Sequence, residues 1–233
     1  MIELYTYPTP NGQKVQIALE ELGLPYEVRI VDILRGEQFD EAFLRISPNN
    51  KIPAIVDREG PGGRPLALFE SGAILRYLAD KTGELWPADP AAAHEAEAWL
   101  CFQVGHVGPM LGQLHHFRDY APERVPYALD RYQREAERLY GVMERRLEGR
   151  RYVMGEAFTM VDVAIFPWMR LAQRQGIDLD ALPAVRAWLD RVAARPAVER
   201  GLAVGRDVVP PEREMDEEAR RVLFGAGQEG GAS

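Results

Sequence analysis

An α/β domain followed by an all-α helical bundle is the architecture that this sequence predicts. Three observations carry it. Strand-like and helix-like patterns alternate over residues 1–83. A proline-bearing stretch, ELWPADPAAA at 84–93, then reads as a linker. After it, over residues 94–205, every patterned stretch is helical.

Residues 2–6 form the first strand-like run. Asn11 precedes a helix whose apolar positions Val15, Ala18, Leu19 and Leu22 follow i, i+3, i+4, i+7, and Gly23 closes it. YEVRIVDI (26–33) is rich in β-branched residues and reads as a strand. IPAIVD (52–57) and PLALF (65–69) flank REGPGGR, a turn by its Gly and Pro content. ESGAILRYLADKTG then gives a second amphipathic helix through Ile74, Leu75, Leu78 and Ala79, closed by Gly83. The order β-α-β, a connecting segment, then β-β-α predicts a small mixed sheet covered by helices.

In the second half, HEAEAWLCFQV, YALDRYQREAERLYGVMERRL, VDVAIFPWMRLAQRQ and PAVRAWLDRVAAR are helix-patterned. FTMVDVA (158–164) carries the Thr-x-x-Asp spacing of a capping box, with Thr159 as the cap and Phe158 placed to staple onto Val163. This is a stability feature worth about 1 kcal/mol for the cap and has no chemistry assigned. The tail, 206–233, ends in GAGQEGGAS and is expected to be loose and in part disordered.

The formal net charge of −8 opposes nucleic-acid binding, which depends on neutralising phosphates. No run approaches 18 apolar residues, so no transmembrane helix is expected, and MIELYTYP has no basic region of the secretory type. The single cysteine, Cys101, excludes an intramolecular disulfide and fits a reducing cytoplasm. His94, His106, His115 and His116 lack metal-ligand spacing, and no metal is expected. Lysine occurs only at Lys14, Lys51 and Lys81, which draws attention to the first two beside motif-like turns.

The stretch LYTYPTPNGQK (4–14) delivers a strand through a turn to a helix start. Such a place often presents a Cys or Ser, yet here the polar residues are Tyr5, Thr6, Tyr7, Thr9 and Asn11. Taken with TPNG, GEQF, ISPNNKIPAIVD, LFESGAILRYL and GPMLGQLHHF, in that order, it resembles the glutathione transferase superfamily, in particular its bacterial nu-class branch, linked to disulfide-bond reduction with glutathione. The resemblance covers residues 1–205. It implies a thioredoxin-like β-α-β-β-β-α domain followed by a helical bundle, a homodimer, and a nucleophile that is the thiol of bound glutathione (GSH or GSSG as cosubstrate).

A free thiol has a pKa of about 8.5. Lowering it by ~2 units takes about 2.7 kcal/mol. One hydrogen bond to a charged group supplies roughly 1.5–3 kcal/mol, and a helix N-terminus about 0.3–1 kcal/mol. A hydroxyl or amide at the helix start therefore suffices, from Thr9 Oγ–H or from the Asn11 amide or backbone N–H. Asn11 is favoured because it stands at the expected N-cap, whereas Thr9 lies between two prolines. Tyr5 should point away by strand alternation, which leaves Tyr7 as the tyrosine to watch.

The resemblance further implies that Ile52-Pro53 holds the cysteinyl part of glutathione through the Ile52 N–H and C=O, a cis bond being tolerated at proline. Ser71 at a helix start suits the γ-glutamyl carboxylate, and Glu70 its ammonium. Gln38 and Lys51 match positions near the glycyl carboxylate. Arg131, by spacing a charged helix face, matches a position that reaches glutathione across a dimer interface. Arg76 could meet Glu95 or Glu97 there. Trp99, Phe102, Gln103 and the HHF segment are candidates for an apolar acceptor site, though at helical spacing they also suit a core.

These residues support a glutathione-dependent disulfide-bond reductase, with organic hydroperoxide reduction as a related activity. The alternatives are a conventional conjugating transferase, for which Tyr7 would be the thiol activator, and a non-catalytic glutathione-binding module.

Overall fold

Alternating burial at Ile2, Leu4 and Thr6 makes β1 (Ile2–Thr6) an inner strand. In the computed structural model, which describes residues 1–206, 208–209 and 216–225, the first domain continues with α1 (Pro10–Glu21), β2 (Tyr26–Ile30), α2 (Glu41–Leu44), β3 (Ala54–Asp57), β4 (Leu66–Phe69) and α3 (Ser71–Thr82). The sheet order is β2-β1-β3-β4; β1 runs parallel to β2 and antiparallel to β3, and β3 is antiparallel to β4. This is the mixed sheet expected, with the predicted hairpin at β3–β4. Both helix stops fall at glycines of positive φ, Gly23 and Gly83.

The helical domain comprises α4 (Pro90–Phe102), α5 (Gly108–His115), α6 (Pro126–Leu147), α7 (Met160–Met169), α8 (Pro183–Ala193) and α9 (Pro196–Ala203). Two wide π turns, Gln103–Val107 and His116–Tyr120, follow α4 and α5. The expected linker 84–93 is shorter than proposed. Asp89 caps α4 by accepting from the Ala92 N–H at 2.9 Å, so residues 90–93 already belong to the helix.

The tail also departs from expectation. α10 (Glu217–Phe224) forms within 206–233, capped by Asp216, and packs Phe224 on His116 and Tyr120 with ring centroids 4.9 and 5.6 Å apart. An amphipathic helix that buries Ala219 and lays a partly exposed Phe224 ring on His116 and Tyr120 docks where a loose tail was expected. Residues 207, 210–215 and 226–233, the last being the AGQEGGAS end, lie outside the described residues.

One apolar core joins the two domains, from Leu4, Ile17 and Leu75 to Val161, Phe166 and Trp188. α1 is the hinge of this packing. A Cβ on Gly201 of α9 would lie 2.7 Å from the Ile17 Cα, so only glycine permits that approach. At the C-terminal end of α1, Arg195 donates to Glu21 at 2.7 and 2.6 Å, and Arg200 to Glu20 at 2.7 Å. The C-terminal half of α1 is thereby fixed against the helical domain.

Candidate active site

The turn that opens α1 is built by prolines and one glycine. Pro10 occupies the first helical position, where its missing N–H costs nothing. Gly12 follows because a Cβ there would sit 2.2 Å from the Tyr7 carbonyl oxygen. The cap is Thr9, not Asn11: Thr9 has extended backbone, and its Oγ accepts from the Gly12 N–H at 3.3 Å. This corrects the reason for favouring Asn11, which stands one residue inside the helix after Pro10.

That shift leaves Asn11 well placed as a donor. The Thr9 N–H bonds the Tyr7 carbonyl, Pro10 has none, the Gly12 N–H goes to Thr9 Oγ and the Gln13 N–H to the Thr9 carbonyl. Among the described residues, the Asn11 N–H is the helix-start donor without a hydrogen-bond partner. No acidic residue lies in the first turn of α1 to neutralise its positive end. The Asn11 side chain is oriented by Trp168 at the end of α7, whose indole Nε1 donates to Asn11 Oδ1 at 2.9 Å. Indole is a donor only, so the Asn11 NH2 must point elsewhere.

Asn11, Lys51, Ile52, Pro53, Glu70 and Ser71 line one cavity of about 150 Å³, together with Asn49. Six of the residues singled out in the sequence are thus brought together. The Ile52-Pro53 bond is cis, and the sheet register begins only at Ala54, so the Ile52 N–H and C=O lie outside the ladder. Glu70 holds a positive φ of 68°, unusual for a residue with a Cβ, immediately before the first residue of α3, Ser71. Asn49 Nδ2 donates to Glu70 Oε1 at 3.1 Å and steadies that carboxylate.

The remaining candidates lie outside this lining. Thr9 borders it in sequence as the α1 cap. Gln38 is buried, its Nε2 donating to the Ile33 carbonyl at 3.2 Å. Arg131 lines a separate groove with Met110, Tyr127 and Tyr132. Tyr5 is turned away from the cavity, its hydroxyl donating to Glu3 Oε2, and Tyr7 is buried and absent from the cavity lining. Arg76 reaches Glu97 within the same chain, at 3.8 Å, and Glu95 instead pairs with Arg146 at 2.7 Å. Trp99 packs edge-on against Phe102 under the Arg146 guanidinium. Neither aromatic ring lines the cavity; both pack against the core.

Two residues at the site were not assigned from sequence. Trp168 sits on a helix whose residues are all buried, so it reads as core, and only its N–H betrays another use. Lys14, noticed for lysine scarcity alone, is buried and reaches Ser71 and Gln103. Among the described residues no cluster of His, Cys, Asp and Glu could hold a metal ion.

A thioredoxin-like sheet domain with a cis-proline loop, a helix-start donor and a helix that opens on Ser71, joined to a helical domain, is the arrangement that the resemblance to the glutathione transferases implies. Residues 9–81 match the family model for the glutathione S-transferase N-terminal domain, and residues 112–196 that for its C-terminal domain. The chain belongs to the glutathione S-transferase family. It is 51% identical over 203 residues to the disulfide-bond oxidoreductase YfcG of Escherichia coli K12, covering 87% of this chain and 94% of that one. It is 37% identical over 229 residues to the disulfide-bond oxidoreductase YghU of the same organism, covering 93% and 79%. A glutathione transferase family member from Pseudomonas fluorescens, solved with two glutathiones bound, superposes with a TM-score of 0.83 at 50% identity, covering 86% of this chain and 92% of that one. One from Pseudomonas putida, with one glutathione disulfide per subunit, gives 0.84 at 45% identity, covering 87% and 91%.

Proposed function

We propose that this chain is a glutathione-dependent disulfide-bond reductase whose reactive sulfur belongs to bound glutathione. The observation that carries the reading is the single cavity that gathers Asn11, Ile52, Glu70 and Ser71, in a chain whose one cysteine, Cys101, is exposed and lines a different groove. The relatives named disulfide-bond oxidoreductases, and the related structures holding glutathione or its disulfide, support it.

In this reading Ile52 pairs with the cysteinyl backbone, Glu70 accepts from the ligand ammonium, and Ser71 donates to the γ-glutamyl carboxylate. Lys51 and Gln38 serve the glycyl end. Asn11, with Thr9 beside it, stabilises the thiolate. That thiolate attacks one sulfur of a substrate disulfide; the new S–S bond forms as the old one breaks, and the other sulfur leaves with the electron pair. A second glutathione thiolate attacks the mixed disulfide, releasing glutathione disulfide and the second substrate thiol. The two electrons come from two glutathiones, and the protein is unchanged.

The chain acts as a homodimer in this reading, through the groove of about 590 Å³ formed by Leu66, Leu68, Gly72, Ala73, Leu100 and Val104. Arg131 of the partner subunit then supplies a further cation to the glutathione. The reducing cytoplasm suits such chemistry and a chain with one cysteine.

The test is parallel kinetics with hydroxyethyl disulfide, an organic hydroperoxide and a chloronitrobenzene, for wild type, Asn11→Ala, Thr9→Ala and Cys101→Ala. Disulfide reduction that survives Cys101→Ala and falls in Asn11→Ala is expected. Turnover confined to the chloronitrobenzene would favour the conjugating transferase instead, and tight glutathione binding with no turnover the non-catalytic module. Sedimentation of the native chain tests the dimer.

A further inference from the structure

Lys14 is a cation held in an unfavourable place. It is 2% exposed, on α1, and its Nζ donates to Ser71 Oγ at 3.2 Å and to Gln103 Oε1 at 2.7 Å. Both acceptors are neutral. No carboxylate forms an ion pair with it among the described residues. A buried charge without a counter-ion is costly to keep, and such a group shifts its pKa toward the neutral form. Here the opposite charge that bears on it is Glu70, whose Oε1 is engaged by Asn49. Burial pushes the Lys14 pKa down to about 7, against the pull of Glu70.

The other charges on elements packed against α1 are paired elsewhere or, like Glu199 of α9, exposed. On α3, Arg76 pairs with Asp80 and Glu97, and Lys81 with Asp57. On α7, Asp162 accepts from Thr159, Val153 and Trp188, and just beyond it Arg170 donates to Gln13. Beside and on α9, Arg195 and Arg200 pair with Glu21 and Glu20. The π turn after α4 contributes the uncharged Gln103, whose Nε2 has no partner among the described residues, and its His106 is exposed.

Ser71 connects this cation to the cavity. When Lys14 is protonated it can only donate, so Ser71 Oγ then accepts from it and keeps its own proton to donate elsewhere. As the first residue of α3, it also presents a backbone N–H at a positive helix end. Of the side chains lining the cavity, Lys51 is the cationic one, and it is exposed. A carboxylate lying against Ser71 would be the counter-ion that Lys14 lacks.

We propose that Lys14 is a positioning and specificity-determining residue: acting through Ser71, it selects ligands that carry a carboxylate at the start of α3. This rests on the glutathione reading of the cavity and names the group that recognises the γ-glutamyl carboxylate from behind. Lys14 touches neither the sulfur nor the substrate disulfide. Its effect falls on which tripeptide is held.

Titration calorimetry with S-methylglutathione, which has no ionisable thiol, tests this against 4-aminobutyryl-S-methylcysteinylglycine, which lacks only that carboxylate. Wild type should prefer S-methylglutathione by about tenfold or more. Lys14→Met should lose about tenfold in affinity for S-methylglutathione and change little for the analogue, so the preference collapses. Lys14→Gln keeps a donor without charge and should behave likewise; it carries the test if Lys14→Met does not fold. In two buffers of different ionisation enthalpy at pH 7.5, wild type should take up a fraction of a proton on binding S-methylglutathione, and both variants none. Equal losses for both ligands, or proton uptake that survives the substitutions, would overturn the role of Lys14 and leave the glutathione reading standing. Wild type that binds neither ligand would remove the glutathione reading and this role with it.

Discussion

The indole Nε1 of Trp168 donates to Asn11 Oδ1 at 2.9 Å, linking residues 157 positions apart and the two domains at the cavity. The bond fixes which end of the Asn11 amide is an acceptor, and therefore which end is left to donate. The helical domain thus sets the direction of a donor that the first domain supplies. An amide without this partner could flip and turn its oxygen toward a thiolate, where it would repel.

Asn11→Ala should raise the thiol pKa of bound glutathione by about 1–2 units, the worth of one hydrogen bond to a charged group. Disulfide reduction at neutral pH should fall about 10- to 100-fold and recover as pH rises, because the missing quantity is thiolate. Trp168→Phe keeps the packing and removes the orienting donor, so a smaller shift of about half a unit to one unit is expected. Thiolate absorbance against pH, with saturating glutathione, reads both. An unmoved pKa in Asn11→Ala would transfer the role to another group.

Thr9 is expected to divide its effect differently. Its Oγ accepts the Gly12 N–H, so Thr9→Ala should cost about 1 kcal/mol of stability as a lost cap. Thr9→Ser retains the hydroxyl and should restore most of that. If the thiol pKa moves more in Thr9→Ala than in Asn11→Ala, the Thr9 hydroxyl is the principal donor. Urea melts and the same absorbance titration separate the two effects.

The capping box at α7 predicts a large stability effect with no catalytic one. Asp162 is fully buried and accepts from the Val153 N–H at 2.9 Å, the Thr159 N–H at 3.0 Å and Trp188 Nε1 at 2.9 Å. Asp162→Ala strands those donors in the core and should cost about 3 kcal/mol or more. Thr159→Ala removes the cap and the hydroxyl's 3.2 Å bond to Asp162 Oδ2 but leaves the carboxylate's other donors, and should cost about 1–2 kcal/mol. Urea midpoints measure both, and turnover per folded molecule should stay at the wild-type level.

Much of this molecule was legible because its signals are local. The strand-turn-helix order, the glycine stops at Gly23 and Gly83 and the Thr159 cap each depend on a few neighbouring residues, whereas at Ile52-Pro53 the residues said only that a cis bond is tolerated. The Thr9 cap was also readable, since proline after a threonine marks the first helical residue; preferring Asn11 as the cap missed that cue. Trp168 and Lys14 were not assignable, because their partners come from distant elements and a buried tryptophan or a lone lysine has no sequence signature. The π turns after α4 and α5 escaped for a related reason: apolar spacing continues through a widened turn with little change. α10 was missed because its charged, alanine-containing sequence binds through few apolar contacts, chiefly Phe224.

His115 gives the pH prediction. It is buried beside Trp168, with ring centroids 5.9 Å apart, and burial together with Arg174 pushes its pKa down to about 4, Asp119 opposing and Arg118 adding. In the unfolded chain a histidine titrates near 6.5. Between those values the unfolded state binds a proton that the native state refuses, so stability rises with pH across this window. Acidification from about pH 6.5 toward 4 should therefore lower the urea midpoint, with no contribution from His115 above that range. His115→Phe keeps a ring against Trp168 and removes the titration, so its midpoint should vary less with pH over the same interval. Parallel profiles for wild type and His115→Phe would mean that another group drives the acid sensitivity.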